Sequence, residues 1–507
     1  MQLFPVLLVA IVLAVDGGLE MSMEAAPVTG WFAVAVAVIP TIIILLLAAT
    51  IIAMVRRAMD RHGSIKALRL GERVMRLARS SILVFFMVAV VMFQWLTAVR
   101  SVTGDLILLD EIVVLIVPIS AMVVLWYCWY PVERRLREAV LLRQLDSGGL
   151  VSALPSRGTY VLWQLRINLL LLLVPLLLIL TASEIIEQFL APQTWAASWI
   201  IDAVTIVVAA IIFVFSPLCA KFILGLKPLP EGELRTDLEA LCQTHHVQVR
   251  DIMLWQTGGN MINAAVMGIV APLRYIMLTD TLLEVLNRPQ VLAVMAHEIG
   301  HVRRRHIPWF LVCFLAIAMV LDLVSLGLMR WVLPEPSVIA YGTDVQEVAG
   351  WGTSGTQVGL LIGALIVILI SFGWISRRFE RQADTFAAQH FALHVDEFND
   401  GDGQIKEVAV VPMATALARI ADFHSLNPNK KSWRHGSISW RQNYLEFLVG
   451  KRVKSLPIDR TVRRIKLVAI TVLLVAVALR LIWGLGIDQT PPTEIVHSTV
   501  VFAGGTP

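Results

Sequence analysis

The chain has 507 residues, 57% of them hydrophobic and only 16% charged, with a mean hydropathy of +0.74. That much apolar surface exceeds what a soluble fold can bury, so a protein with several membrane spans is expected. A net charge of +4, with no basic stretch interleaved with aromatics, sets nucleic acid aside as a partner.

In chain order, bilayer-length apolar runs are expected at 29–54, 80–98, 107–130, 160–183, 197–221, 308–332, 356–376 and 465–487. A shorter run, Leu3 to Val15, has no Lys or Arg before it, which argues against a signal sequence. A short first span is preferred there over a reentrant segment. The stretches RRAMDRHGSIKALRLGERVMRLAR, from Arg56, and ERRLREAVLLRQLDSGG, from Glu133, are basic and belong inside. The alternate stretches from Asp16, Ser183 and Pro334 carry acids without Lys or Arg and belong outside, as does the tail after Asp488.

This alternation places two long hydrophilic stretches, 222–305 and 377–464, on the cytoplasmic side. The expected organisation is an N-terminal membrane region at 1–221 with about six spans, a cytoplasmic part at 222–307 and a membrane hairpin at 308–376. A second cytoplasmic part at 377–464 and a last span with a short external tail at 465–507 complete it. The fold class is mainly α, a polytopic α-helical membrane protein with a small α+β domain, which the metal-ligand motif and resemblance given below make a zincin (gluzincin) catalytic domain. Asp110, Glu111, Arg166, Asp202, Asp322 and Arg480 fall within the apolar runs and are read as lying near span ends or pairing with one another. Cys128, Cys219, Cys242 and Cys313 form no CxxC pair and are read as small buried hydrophobes.

The chemistry is concentrated in VLAVMAHEIGHVRRRH, from Val291 to His306. On a helix from Pro289 to His306, His297 and His301 stand one turn apart on one face, so both imidazoles reach one ion. Glu298, rotated to the flank, is placed to act as general base on a metal-activated water. A catalytic zinc needs a third protein ligand. His306 points away from His301 on such a helix, whereas Glu380 in SRRFERQADTFA returns to the same membrane face after two crossings. Asp384, one turn on from Glu380, is placed to accept the free N–H of a ligand histidine.

These segments resemble the M48 metallopeptidases, the group that holds the Ste24-type CAAX proteases and the HtpX-type quality-control proteases. HEIGHVRRRH resembles the family's HExxH helix, and RRFERQAD its ExxxD helix. NMINAAVMG resembles the NAxxxG segment, with Asn263, Ala264 and Gly268 matching, and RHGSISWRQNYL resembles the HPxxxxR segment. The resemblance implies an edge strand around Asn263 and Ala264 that pairs with substrate, His435 as hydrogen-bond donor to the oxyanion, and Arg441 in contact with substrate or with the site's acidic groups. Gly436 stands where the family usually has proline. Short strands are expected within VQVRDIMLW and RYIMLTD, followed by a capping box from Thr281 to Glu284. The loop Asp396 to Glu407 lacks calcium-ligand spacing and is read as solvated.

The expected function is that of a membrane-embedded zinc metalloendopeptidase with one Zn2+ per chain, held by His297, His301 and Glu380. Its substrates are expected to be membrane-associated or lipidated peptides or proteins presented at the lipid bilayer. The span count favours a Ste24-like, CAAX-type enzyme. The alternatives are an HtpX-like quality-control protease and an inactive membrane scaffold or transporter. A prokaryotic inner membrane is the expected location, with the site facing the cytoplasm.

Overall fold

The computed structural model describes residues 4, 7–8, 30–104, 106–146, 154–193, 198–258, 261–332, 343–394, 403–424, 426–454 and 456–487. Most of the Leu3–Val15 run, the stretch opening at Asp16, the first part of the one opening at Pro334, most of the Asp396–Glu407 loop and the tail after Asp488 lie outside the described residues.

Among the described residues eight helices are long and apolar enough to cross a membrane, and they overlap the eight expected runs. Their outward faces are apolar: Leu46 and Leu47 are 62% and 59% exposed, and Leu474 is 64% exposed. Apolar surface of that extent is stable against lipid and not against water. The protein is a multi-pass membrane protein.

The helices are longer than the apolar runs that seed them. Helix α1 (Gly30–His62) and α2 (Ile65–Val91) absorb most of the basic stretch that was expected to be a loop. The stretch is rich in Arg, Leu, Ala and Met, which favour helix, and only Gly63 and Ser64 interrupt it. Gly63 takes φ +55°, and Ser64 Oγ caps α2 by accepting from the Ala67 N–H. Helices α3 (Trp95–Thr103), α4 (Leu109–Asp146), α5 (Arg157–Leu165), α6 (Leu171–Leu190) and α7 (Ser198–Leu224) follow, with a π-helical turn at Arg166–Leu170 between α5 and α6. Two of the expected intramembrane charges are paired here: Arg100 binds Asp110 at 2.5 Å and Glu111 at 2.9 Å.

The chain divides into two compact units. One comprises residues 1–304, 383–431 and 436–454, and holds the helices above together with a small α+β region. Its sheet has the order β1-β2-β4-β3, formed by β1 (Lys227–Pro228), β2 (Asp251–Trp255), β3 (Ala264–Met267) and β4 (Tyr275–Thr279). Strands β2 and β4 run parallel and contain the two expected strands, while β3 is an antiparallel edge on β4 with Ala264 opposite Leu278 and Met267 opposite Tyr275. Around the sheet lie α8 (Glu233–Thr244), α9 (Asp280–Val285) and α10 (Arg288–Arg303). The cap of α9 is Thr279, whose hydroxyl accepts from the Leu282 N–H, two residues earlier than the expected Thr281. Thr281 is instead buried beside Thr257 and Asp280.

The other unit comprises residues 305–382, 432–435 and 455–507. Within it α11 (His306–Val332) packs on α15 (Pro457–Ile487), and Arg480 of α15 pairs with Asp322 of α11 at 3.1 Å. Helix α12 (Thr343–His394) runs unbroken from this unit into the first. It has 52 residues. At 1.5 Å per residue a helix of that length spans about 78 Å, far longer than a hydrocarbon core of about 30 Å requires. The remaining helices, α13 (Glu407–Phe423) and α14 (Ile438–Leu448), belong to the first unit.

Gly268 ends the edge strand with φ +102°, and a Cβ there would meet the Leu273 carbonyl oxygen at 2.5 Å. Gly268→Ala is therefore expected to lower stability by about 1–3 kcal/mol, read as a reduced melting temperature of the purified protein. The wild-type melting temperature in the variant would remove the constraint.

Candidate metal centre

Helix α10 starts at a full capping box: Asn287 Oδ1 accepts from the Gln290 N–H, and Gln290 Oε1 accepts from the Asn287 N–H. Pro289 sits in the first turn, where its missing N–H has no helical partner to lose. The helix is buried nearly all round through Val291, Ala293 to His297, Ile299 and Gly300, as a helix inside a domain should be. It ends at Arg303, earlier than the sequence suggested, and Arg305 at φ +55° turns the chain into α11.

His297 and His301 stand together on this helix, with Nε2 3.2 Å from Nε2 and ring centroids 4.9 Å apart. His297 Nδ1 lies 2.8 Å from Asp384 Oδ1 on the C-terminal part of α12. A carboxylate oxygen at that distance favours the tautomer with the proton on Nδ1, which leaves Nε2 as an electron-pair donor. Two imidazole nitrogens this close, one with its lone pair facing inward, fit a shared cation.

Asp384 is wholly buried and held from a second side by Arg441 of α14. The guanidinium is bidentate, Nε to Oδ2 at 2.8 Å and Nη2 to Oδ1 at 2.6 Å. Arg441 is itself only 9% exposed, so the pair is shielded from solvent. Of the two contacts the resemblance implied for Arg441, the structure displays the one to an acidic group.

Glu380 lies one helical turn before Asp384 on α12 and is buried. Its Oε1 is 3.0 Å from Nδ1 of His435, whose side chain is half exposed. Two residues on from Glu380, Gln382 Oε1 accepts from His306 Nε2 at 2.9 Å, and Gln382 Nε2 donates to Asp459 at 2.6 Å. His306 stacks on Phe379 with centroids 4.4 Å apart. Its packing against the residues flanking Glu380 depends on two helices distant in sequence. Glu298 is half-buried on α10, next to His297.

The edge strand β3 packs on α10. Asn263, just before it, donates its N–H to Thr279 Oγ1 at 3.0 Å and accepts at its carbonyl from the Thr279 N–H at 3.1 Å, and Ala264 is buried. The loop entering β3 is tied down by Asp280, which accepts from the N–H groups of Thr257 at 3.0 Å and Gly258 at 2.9 Å. Burial works to raise the Asp280 pKa, but these hydrogen bonds and those from the Thr257 hydroxyl and the Thr281 N–H outweigh it and hold it below the usual carboxylate value. The residues that could hold a metal ion are His297, His301 and Glu380, which offer two imidazole nitrogens and one carboxylate oxygen.

Residues 228–398 match the family model described as Peptidase family M48, a stretch that includes His297, Glu298, His301, Glu380 and Asp384 and ends before His435 and Arg441. The chain is 30% identical over 210 residues to a CAAX prenyl protease 1 homolog of Arabidopsis thaliana, covering 40% of this chain and 45% of that protein. It is 29% identical over 208 residues to a CAAX prenyl protease 1 homolog of Oryza sativa subsp. japonica, covering 39% and 45%. It thus spans about half the length of the curated relatives it matches. The crystal structure of S. mikatae Ste24p aligns over 82% of this chain and 98% of its own, with 14% identity and a TM-score of 0.38.

Two expectations follow from the site. Arg441→Ala leaves the Asp384 charge buried without its bidentate partner and should destabilise the protein by about 3–5 kcal/mol in thermal or denaturant unfolding. Removing both charges with Arg441→Met and Asp384→Asn should be milder than the sum of the single effects. Gly436 has φ +77°, a conformation the proline ring cannot adopt, and its Cβ position lies 2.8 Å from the Trp440 ring. Gly436→Pro, which restores the family's usual residue, should therefore weaken folding instead of improving it, measured as a loss of melting temperature.

Proposed function

We propose that this chain, whose residues 228–398 belong to peptidase family M48, is a membrane-embedded zinc metalloendopeptidase. The observation that carries the reading is the His297–His301 pair, with its nitrogens 3.2 Å apart and His297 fixed by Asp384, inside the stretch that matches a peptidase family. Glu380 is the third ligand in this reading: it follows the same unbroken helix as Asp384, one turn earlier, and supplies the carboxylate of a two-histidine, one-glutamate donor set. That set suits a single Zn2+ per chain.

Zinc, when bound, supplies a Lewis acid that polarises the scissile carbonyl and acidifies a water molecule. Glu298 takes the proton from the attacking water and delivers it to the leaving amine nitrogen. His435, half exposed beside Glu380, is placed to donate to the developing oxyanion. Asp384 keeps His297 in the tautomer that presents Nε2, and Arg441 keeps Asp384 ionised and in place. Substrate lies extended along the Asn263–Gly268 edge, adding a strand to β3, whose side away from β4 carries no strand among the described residues.

The substrate class proposed is a membrane-associated, lipidated peptide of the CAAX type, in keeping with the names of the two plant relatives. The proposed setting is a prokaryotic inner membrane with the site on the cytoplasmic side. The basic stretches around Arg56–Arg79 and after Glu133 support that orientation.

Glu298→Gln should keep its metal and lose activity by roughly 10²–10⁴-fold on a prenylated CAAX peptide. Metal content by mass spectrometry and a peptide-cleavage assay on the purified protein check this. Wild type without metal, or a variant that cleaves as fast, would refute the mechanism. Trapping substrates with Glu298→Gln in cells decides the class, since a broad set of misfolded membrane proteins would replace the CAAX assignment with a quality-control one.

A further inference from the structure

Three more histidines meet where the C-terminal end of α8 reaches the last turns of α12. His390 and His394 lie four residues apart on α12, the same helical spacing as His297 and His301. His245 follows the last residue of α8. All three belong to the same compact unit. His245 Nε2 is 3.0 Å from His390 Nδ1. Ring centroids are 5.0 Å apart for His245 and His390, 5.4 Å for His245 and His394, and 5.7 Å for His390 and His394. These separations are close to the 4.9 Å of the HExxH pair.

In a tetrahedral site two nitrogens bound at about 2.0–2.1 Å lie roughly 3.3 Å from each other, so the His245–His390 pair is a few tenths of an ångström from ligand spacing. His390 is buried, His245 half-buried and His394 exposed, which leaves one side open to solvent. His394 occupies the final turn of α12, with its ring 5.4 Å from that of His245, and a turn about its side-chain bonds would be needed to present a nitrogen to the same ion.

We propose that His245, His390 and His394 bind a second transition-metal ion, distinct from the one at the HExxH helix, with water completing the coordination. Three imidazoles select zinc, copper or nickel over magnesium or calcium, whose preferred donors are oxygens. The ion fastens the end of α8 to the end of α12. The fastening bears on the proposed active site through Phe386, whose ring lies 4.7 Å from His245 on one side. On the other side Phe386 packs so closely on α10 that a Cβ at Gly300 would stand 3.0 Å from its own Cβ.

The test is metal stoichiometry of the full-length, detergent-purified chain after Zn2+ loading and desalting, with Co2+ absorption titration as a second readout. Wild type should hold two zinc ions. His245→Gln with His394→Gln should lose one, and so should His297→Gln with His301→Gln. His394 is exposed, so the single variant His394→Gln should fold as wild type and weaken the second Co2+ equivalent. A full complement of two ions in the His245/His394 variant, or unchanged Co2+ binding in His394→Gln, would overturn the proposal and leave the His245–His390 contact as a hydrogen bond. If instead only the His297/His301 variant retained the wild-type count, the second site would stand and the assignment of the first would fail.

Discussion

A carboxylate with no access to water has to be compensated on every side, and Asp384 meets that requirement with two partners from different parts of the chain. Arg441 binds both its oxygens, and His297 binds one of them. Burying the ion without these partners would be unfavourable by several kcal/mol, so the contact specifies how α10, α12 and α14 come together. It also sets the tautomer of His297. One buried ion pair thereby does structural and chemical duty at once, since the force that positions three helices is the force that presents an imidazole nitrogen.

The second constraint is the length of α12. A helix that crosses a bilayer and continues has no loop in which position or rotation can drift, so Glu380, Asp384 and His390 keep fixed angular relations to the apolar part of the same helix. With Glu380 as the proposed third ligand, the chemistry would be tied to membrane depth. In the proposed function this is the reason a peptidase site can serve substrates held in the bilayer: the element that delivers the third ligand is itself a span.

The side proposed to face substrate is shaped by backbone geometry. Gly268 and Gly436 both adopt left-handed conformations against a close neighbour, one ending the edge strand and the other following His435. At Gly436 the turn requires a positive φ, which proline cannot supply.

The spans, the HExxH helix and the strands β2 and β4 were legible in the sequence because each depends on local composition or periodicity. Membrane length is a run of apolar residues, and the pairing of His297 with His301 follows from 3.6 residues per turn. The capping box of Asn287 and Gln290 was not read. The bidentate Arg441–Asp384 contact, the stacking of His306 on Phe379 and the approach of His245 to His390 were not legible, since each joins residues separated by 57, 73 and 145 positions through packing. His390 and His394 carried the same spacing as the HExxH pair, but spacing alone cannot show that a third imidazole arrives from another helix. Local order was determined by the sequence through propensity and hydropathy. Which polar groups meet was decided by the tertiary structure, because only packing removes water and forces buried charges and imidazoles to find partners.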